Sequence, residues 1–444
     1  LLLCLWLTGC SDSDDNSSEP SVTPAVISAE QLNIDTLPQP VHIYDMVALP
    51  DNTVLVTGYY DETLTSPTTQ VVQTGIVFKL TTAGALDTTF GTNGITTFRF
   101  ETHTVPLNLA VNPDGKILVS GALDTGIIES DTPDQSAFVS CFLADGTIDR
   151  DFGTNGFTSH YFSDYHTLGK AMGLQSDGKI ILGCDLYGNT EMRYGLLRFN
   201  VDGSVDTSFA TNGEYLSDPF DDSFSFHNLV IQADNSIIIG LNPFQWNDGQ
   251  YLDPSQLIGF TPDGAVDTAF GDNGTVDLTD TLRFTRILRT QSQRVIAIGI
   301  NAQMTLPTDP YPEIALNALN SLGNPDPTFG RQGISYVDID NEKMRTVYDI
   351  EEDNDQRIFF LMDLNYREDA YFNWFGEGLQ LVRLNENGIP DNSFGTDGIW
   401  EYDTDNLEQG TVMAVLPNGT VFIGGTKGLT GLDEETFLLR VTIQ

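Results

Sequence analysis

The sequence predicts an all-β chain closed into a β-propeller of seven blades, each of four antiparallel strands, and three observations carry that reading. A twelve-residue stretch, Asp145 to Gly156 (DGTIDRDFGTNG), recurs in variants. Aligning its phenylalanine gives Phe90, Phe152, Phe209, Phe270, Phe329 and Phe394, so copies stand 62, 57, 61, 59 and 65 residues apart. A period near sixty is the size of one supersecondary unit, and an array of such units grows without needing a second core. Between the copies lie hairpins of recurring form, LAVNPDGKILVSG at 109–121, MGLQSDGKIILGC at 172–184 and LVIQADNSIIIGL at 229–241. Related hairpins surround Asp51-Asn52, Ser292-Gln293, Asn354-Asp355 and Asn418-Gly419. Short Val-, Ile- and Phe-rich runs bounded by Gly, Asp and Asn fill the chain, whereas helical patterning is hard to find.

Each repeat supplies four strands. The hairpin gives a and b; a third apolar run, c, precedes the phenylalanine motif, as in Ala137 to Leu143, and a fourth, d, follows it, as in Gly156 to Phe162. Four short antiparallel strands per repeat are a propeller blade. Residues 407–444 supply only a, b and c of a seventh blade, and Ala25 to Asp35, ahead of the first hairpin, is placed to supply its d. That pairing of chain start with chain end closes the ring and removes an exposed edge. Six blades with a stray N-terminal segment is the alternative.

The motif reads as a capped turn. Asp87, Asp149, Asp206, Asp267, Asp326 and Asp391 can accept hydrogen bonds from backbone N–H groups two or three residues on, closing a single turn that drives the phenylalanine inward. Gly94, Gly156, Gly213, Gly274, Gly333 and Gly398 follow four residues after the ring and supply a positive φ before strand d. A metal site built on the six aspartates is the reading not taken, because turn chemistry alone accounts for them. The pattern G-x-[apolar]-D-x-x-F-G-x-x-G at this spacing resembles the delta-60 repeat family of bacterial proteins, over about residues 40–444. The resemblance implies propeller blades and no defined activity. Ala210 departs from it where glycine is usual, as do Pro325 and Pro390 before the aspartate.

Composition bounds the partners. The chain has 444 residues, with 63 acidic against 20 basic and a formal net charge of −43. Such a field repels nucleic acid and anionic lipid head groups and attracts cations. The apolar run Leu1 to Leu7 leads to Leu7-Thr8-Gly9-Cys10, which looks like a bacterial lipobox. The expectation is a signal peptide at 1–9 that lacks its basic start, a lipidated Cys10 with an acidic tether at 10–24, and one propeller domain at 25–444. Ser11 behind the cysteine suits an outer-membrane lipoprotein of a Gram-negative host. Cys141 and Cys184, in apolar strands, read as small buried hydrophobes rather than a disulfide.

Strand alternation sorts the loops onto two faces. With strand a running from face T to face B, the a–b and c–d connections share B and are repetitive, while b–c and d-to-a connections share T and differ from blade to blade. Variable loops are where binding residues gather. The d-to-a connections carry Asp218, Asp221, Asp222, Asp277, Asp280, Asp338, Asp340, Asp403 and Asp405. These oxygen-rich clusters could take Ca²⁺, although none has the spacing of a calcium loop. The b–c loops carry Tyr59, Tyr187, Tyr194, Trp246, Tyr251, Tyr311, Tyr366, Tyr371 and Trp374. Aromatic rings beside carboxylates suit a glycan or protein ligand. His42, His103, His166 and His227 fall near the starts of their strands a, and packing is the default reading for them. No nucleophile elbow, P-loop, zinc-protease motif or dinucleotide fingerprint is present. The expected protein is therefore a monomeric, lipid-anchored envelope propeller acting as a binding or adhesion module through face T. The alternatives are a carbohydrate-active enzyme with carboxylates at the central channel, and a structural surface scaffold.

Overall fold

A computed structural model describes residues 25–38, 40–65, 69–124, 135–188, 191–219, 224–243, 246–247, 250–251, 254–278, 283–300, 314–337, 346–367, 374–403, 408–427 and 435–444. They form seven four-stranded antiparallel sheets arranged as blades of one ring, with no helix among the described residues. Blade 1 is typical, with a at His42–Ala48, b at Val54–Leu64, c at Gln70–Leu80 and d at Ile95–Phe98. Blade 4 adds a two-residue hairpin, Trp246–Asn247 with Gln250–Tyr251, between its b and c. Blade 7 takes a, b and c from Glu408–Val415, Val421–Lys427 and Glu435–Ile443, and its outer strand from Ile27–Gln31, in register from Ile27↔Ile443 to Gln31↔Leu439. The count of seven and the closure by the chain start are both as the sequence reads.

Strand b is apolar on both faces because neighbouring blades cover both; Ile180, Ile181 and Leu182 are buried. The large apolar clusters therefore straddle blades, as where Ile296, Ile298 and Leu316 of blade 5 pack with Val347, Ile358 and Phe360 of blade 6.

The repeated motif fastens each blade to the next. Every motif aspartate accepts, at Oδ1, the N–H two residues on, at 2.9–3.2 Å. Five of the six also hold a cation at Oδ2: Lys79 on Asp87, Lys116 on Asp149, Lys179 and Arg198 on Asp206, Arg294 on Asp326 and Arg383 on Asp391. The closed turn buries the phenylalanine, and Phe209, Phe329 and Phe394 have no exposed surface. In the first five repeats the ring then lies under the opening glycine of the following repeat. A Cβ at Gly146 would stand 2.7 Å from Phe90, and one at Gly388 2.5 Å from Phe329. In the same five repeats the residue after the ring donates its N–H to that next turn, as Gly91 to the Asp145 carbonyl at 2.7 Å. Asn93 and Gly94, at positive φ values of 55° and 94°, make the two-residue turn that starts strand d. Ala210 holds φ 41° where the other repeats place glycine, a strained conformation for a residue with a Cβ.

Blade 7 has no phenylalanine motif, and the chain start replaces it. Leu32, directly after the closing strand, occupies the place under Gly84 of blade 1 that a phenylalanine fills elsewhere, since a Cβ there would meet its side chain at 2.6 Å. Cys141 and Cys184 are buried free thiols, as read, and burial pushes the Cys141 thiol up to about 12. Replacing Leu32 with alanine should cost about 1–2 kcal/mol, less than a fully buried Leu→Ala because the side chain is half-buried. Removing residues 1–32 should cost several times more by baring the edge of Glu435–Ile443. Urea unfolding checks both, and a truncation as stable as the full chain would show that the ring closes without its start.

Candidate active site at the central channel

The seven strands a line the central channel, and every one carries a β-bulge at the same place. Register breaks fall at Ile43/Asp45, Pro106/Asn108, Gly169/Ala171, Phe226/Asn228, Phe284/Arg286, Val347/Asp349 and Gly410/Val412. The extra residues are Tyr44, Leu107, Lys170, His227, Thr285, Tyr348 and Thr411. A bulge re-aims side chains locally, and seven in register set a belt around the axis. Strand b makes room with glycine: a Cβ at Gly58 would stand 2.0 Å from the His42 carbonyl, and one at Gly121 2.0 Å from that of Val105.

The belt lines a cavity of about 320 Å³, walled by Asp45, Asn108, Lys170, His227, Asn228, Arg286 and Asp349 among others. Toward face T it widens to an opening of about 520 Å³, bordered by His42, Tyr44, His227, Thr285, Thr346 and Tyr348. Tyr44, His227 and Arg286 belong to both, so the two spaces are one channel.

Its charges are sorted by blade. Lys170, His227 and Arg286 come from blades 3, 4 and 5; Asp349 and Asp45 come from blades 6 and 1, on either side of Val412 in blade 7. The carboxylates also fasten blades. Asp45 Oδ2 accepts the Leu109 N–H of blade 2 at 2.6 Å, while Asp349 Oδ2 accepts the Met413 N–H at 2.9 Å and Glu351 Oε2 the Val415 N–H at 2.7 Å, both from blade 7. Protein surrounds all three. Burial, with repulsion from Asp349 adding and the Leu109 N–H opposing, pushes Asp45 up to about 7. Burial raises Asp349 too, against the pull of Arg286, whose Nε lies 3.7 Å away. Glu351 is held well above its ordinary range by burial and then by Asp349 and Asp45. A carboxyl that exchanges its proton near neutrality beside a second carboxylate is equipped for general acid–base chemistry.

The structure distributes the sequence-based candidates unevenly. Tyr59 pairs in register with His42 and stacks on its ring at 4.8 Å and on Tyr44 at 5.8 Å, beside the channel opening. Tyr187, the equivalent residue of blade 3, is half-buried and points its hydroxyl at Asp185, 3.4 Å away. Asp185 in turn accepts the Phe226 N–H of blade 4 at 2.7 Å, so this pair braces two blades. Tyr194, expected in a loop, lies buried within strand Met192–Phe199. Trp246, Tyr251, Tyr366, Trp374 and Asp403 have described backbone only, and Tyr311, Tyr371, Asp221, Asp222, Asp280, Asp338, Asp340, Asp405 and Cys10 lie outside the described residues. Asp277 accepts a hydrogen bond from Gln256 Nε2 at 2.9 Å, and Asp218 stands next to strand Glu214–Leu216. Among the described residues no group of three or more His, Cys, Asp or Glu side chains converges on a common point. The belt itself went unread in the sequence, although the glycine that six of the seven strands b carry opposite the bulge was a signal for it, blade 6 having Met362 there.

Seven blades around a polar, charge-sorted channel define the protein as a seven-bladed β-propeller. A family model described as a domain of unknown function, DUF5122 β-propeller, matches residues 175–209, which run from the a–b turn of blade 3 through Phe209. No curated protein sequence matches the chain. Similar solved structures include a protein of unknown function from Dyadobacter fermentans, 9% identical over 92% of this chain and 96% of that one at a TM-score of 0.43. The polysaccharide lyase Uly1 is 12% identical over 93% and 91% at 0.46, and a PL25 ulvan lyase bound to a saccharide is 9% identical over 90% and 93% at 0.44. Likeness this low says nothing of activity.

The raised Asp45 has a thermodynamic consequence. It binds its proton more tightly folded than unfolded, so folding takes up a proton between its ordinary 3.8 and about 7. Its contribution to stability therefore falls as pH rises through that window and is smallest above 7. Asp45→Asn, which cannot ionise, should gain stability relative to the wild type from pH 5 to pH 8, whatever offset the lost N–H acceptor imposes. Thermal melts across that range check it; a pH-independent difference would place Asp45 at an ordinary carboxylate value.

Proposed function

We propose that the chain is a lipid-anchored cell-envelope propeller that binds a saccharide at the face T opening of its central channel. One observation carries this reading: Tyr59 stacks on His42 and Tyr44 at the edge of an opening that leads to a hydrogen-bonding cavity. Tyr44 leaves 39% of its surface exposed there. Ring faces bury the apolar face of a sugar, and polar groups deeper in the channel orient it. In this reading the chain is a delta-60 repeat protein, held at the outer membrane through Cys10 and acting as a monomer without nucleic acid. The net charge of −43 supports the last point.

A second reading, a carbohydrate-active enzyme, is favoured by the placement of Asp45 and Asp349 on the channel wall with Asp45 raised to about 7. One carboxyl would act as acid and the other as base.

The full chain carrying Cys10→Ser should move from the membrane to the soluble fraction, and a chain that stays at the membrane would reject the anchor. On a glycan array the soluble protein should retain a subset of saccharides, with Tyr44→Ala weakening retention about tenfold, the size of one lost ring contact. Unchanged retention in Tyr44→Ala would remove the opening as the site. Mass spectrometry of retained glycans separates the readings. Intact glycan supports a binding module, whereas cleavage that Asp349→Asn abolishes establishes the enzyme.

A further inference from the structure

The donors and acceptors of the channel do not balance. Asp45 and Asp349 each already accept two backbone N–H groups, from Leu109 and Met46 and from Met413 and Ile350. The donors are less committed. Lys170 forms no hydrogen bond or ion pair among the described residues, although its charge favours the ionised form of Asp185. Arg286 is ion-paired with Asp349 through Nε at 3.7 Å and makes no hydrogen bond among the described residues. Asn108 Nδ2 is buried without an acceptor. All three line the same cavity. Buried polar groups in native proteins find partners, so unspent donors around an enclosed space mark the place of an acceptor-rich occupant.

The chain's composition sharpens the point. With 63 acids against 20 bases, a channel cation could have been given a carboxylate on almost any neighbouring strand. Blade 3 instead presents Lys170 to open cavity, and Arg286 of blade 5 meets only Asp349, at 3.7 Å and without a hydrogen bond, with the carboxylates gathered on blades 6 and 1. Arg is suited to bidentate recognition of an oxyanion, and Lys to a point contact with one.

We infer that the channel is built for an acidic saccharide, its oxyanion held by Lys170 and Arg286 and its hydroxyl groups donated to Asp45 and Asp349. This rests on the channel opening being the binding site. A field of −43 opposes the approach of any anion, whereas the contact inside the channel is short-ranged and shielded from bulk ions. Raising salt from 10 mM to 150 mM should therefore speed association more than it weakens the complex.

The experiment is calorimetric titration of the full chain carrying Cys10→Ser with trigalacturonate, a sulfated disaccharide and neutral maltotriose, in the presence of chelator. At least one acidic sugar should bind ten times more tightly than maltotriose, and whichever does identifies the oxyanion as carboxylate or sulfate. Lys170→Gln should lower that affinity about tenfold, leave maltotriose unchanged, and leave the melting midpoint without ligand unmoved, because Lys170 makes no ion pair to lose. Equal binding of acidic and neutral sugars, insensitive to Lys170→Gln but lost in Tyr44→Ala, would overturn the acidic ligand and keep the site. Binding of none of the three would overturn both.

Discussion

The contact on which the molecule depends is the phenylalanine of each repeat lying beneath the opening glycine of the next. It is the point where local chemistry becomes long-range order. An aspartate that closes a turn two residues ahead fixes the direction of the ring, and Phe90 and Phe329 then meet Gly146 and Gly388 with no room for a Cβ. The same turns exchange a backbone hydrogen bond across the blades. Each joint combines apolar burial with hydrogen bonds on one short segment, and that explains why the segment is the most regular part of the sequence. Five such contacts join blades 1 to 6, and two joints remain. Ala25 donates its N–H to the Ser393 carbonyl at 2.7 Å, and Leu32 at Gly84 with strand Ile27–Gln31 at the edge of Glu435–Ile443 closes the ring, so this segment is a working part of it.

A ring fastened on its B side leaves the inner strands free to vary toward T. The bulge in every strand a is the device. It keeps the ladder intact on both sides of one extra residue, so bulge side chains as different as Tyr44, Lys170, His227 and Tyr348 line the channel without disturbing the blades. Repetition of backbone and variation of side chain thus occupy the same seven places, from Tyr44 in blade 1 to Thr411 in blade 7. The carboxylates beside the bulges do two things at once. By accepting N–H groups from the neighbouring blade, Asp45, Asp349 and Glu351 tie the inner wall together, and by being buried there they are kept from ionising easily.

How much of this was legible follows from what repeats. The motif aspartates, the phenylalanines and the left-handed glycines repeat in sequence because their backbone geometry repeats, and their roles were read correctly from residue chemistry. The blade count and the closing strand followed from the missing fourth strand of the last repeat. The channel was not read. Strands a of blades 2, 3 and 4 begin at His103, His166 and Phe224, five or six residues before the hairpins that mark them in sequence. His227 falls in that gap near the start of its strand a and reads as packing, and nothing in the repeat singles out Lys170. A bulge breaks the alternation by which strands are recognised, and its residues share no chemistry between blades, so periodicity conceals them. Tyr59 draws attention in the sequence because an aromatic side chain stands out in any frame, but its partners His42 and Tyr44 are fixed only by the register of strands a and b.

The scarcity of cations gives the channel its meaning. Lys79, Lys116, Lys179, Arg198, Arg294 and Arg383 are drawn into the motif turns, where each neutralises an aspartate that would otherwise repel its neighbours in a strongly acidic protein. Arg193 and Arg357 are likewise committed to Glu191 and Asp353. A lysine left unpaired on an inner strand adds nothing to blade packing and costs part of its hydration by facing a narrow space. Arg286 is paired only loosely, its Nε 3.7 Å from Asp349 Oδ1 and without a hydrogen bond among the described residues. Folding alone would favour pairing these groups or replacing them with apolar residues like Leu107 and Val412 at neighbouring places on the same wall. Their retention as open donors is accounted for by something that enters the channel, and the joints on the B side are what keep that wall in place to receive it.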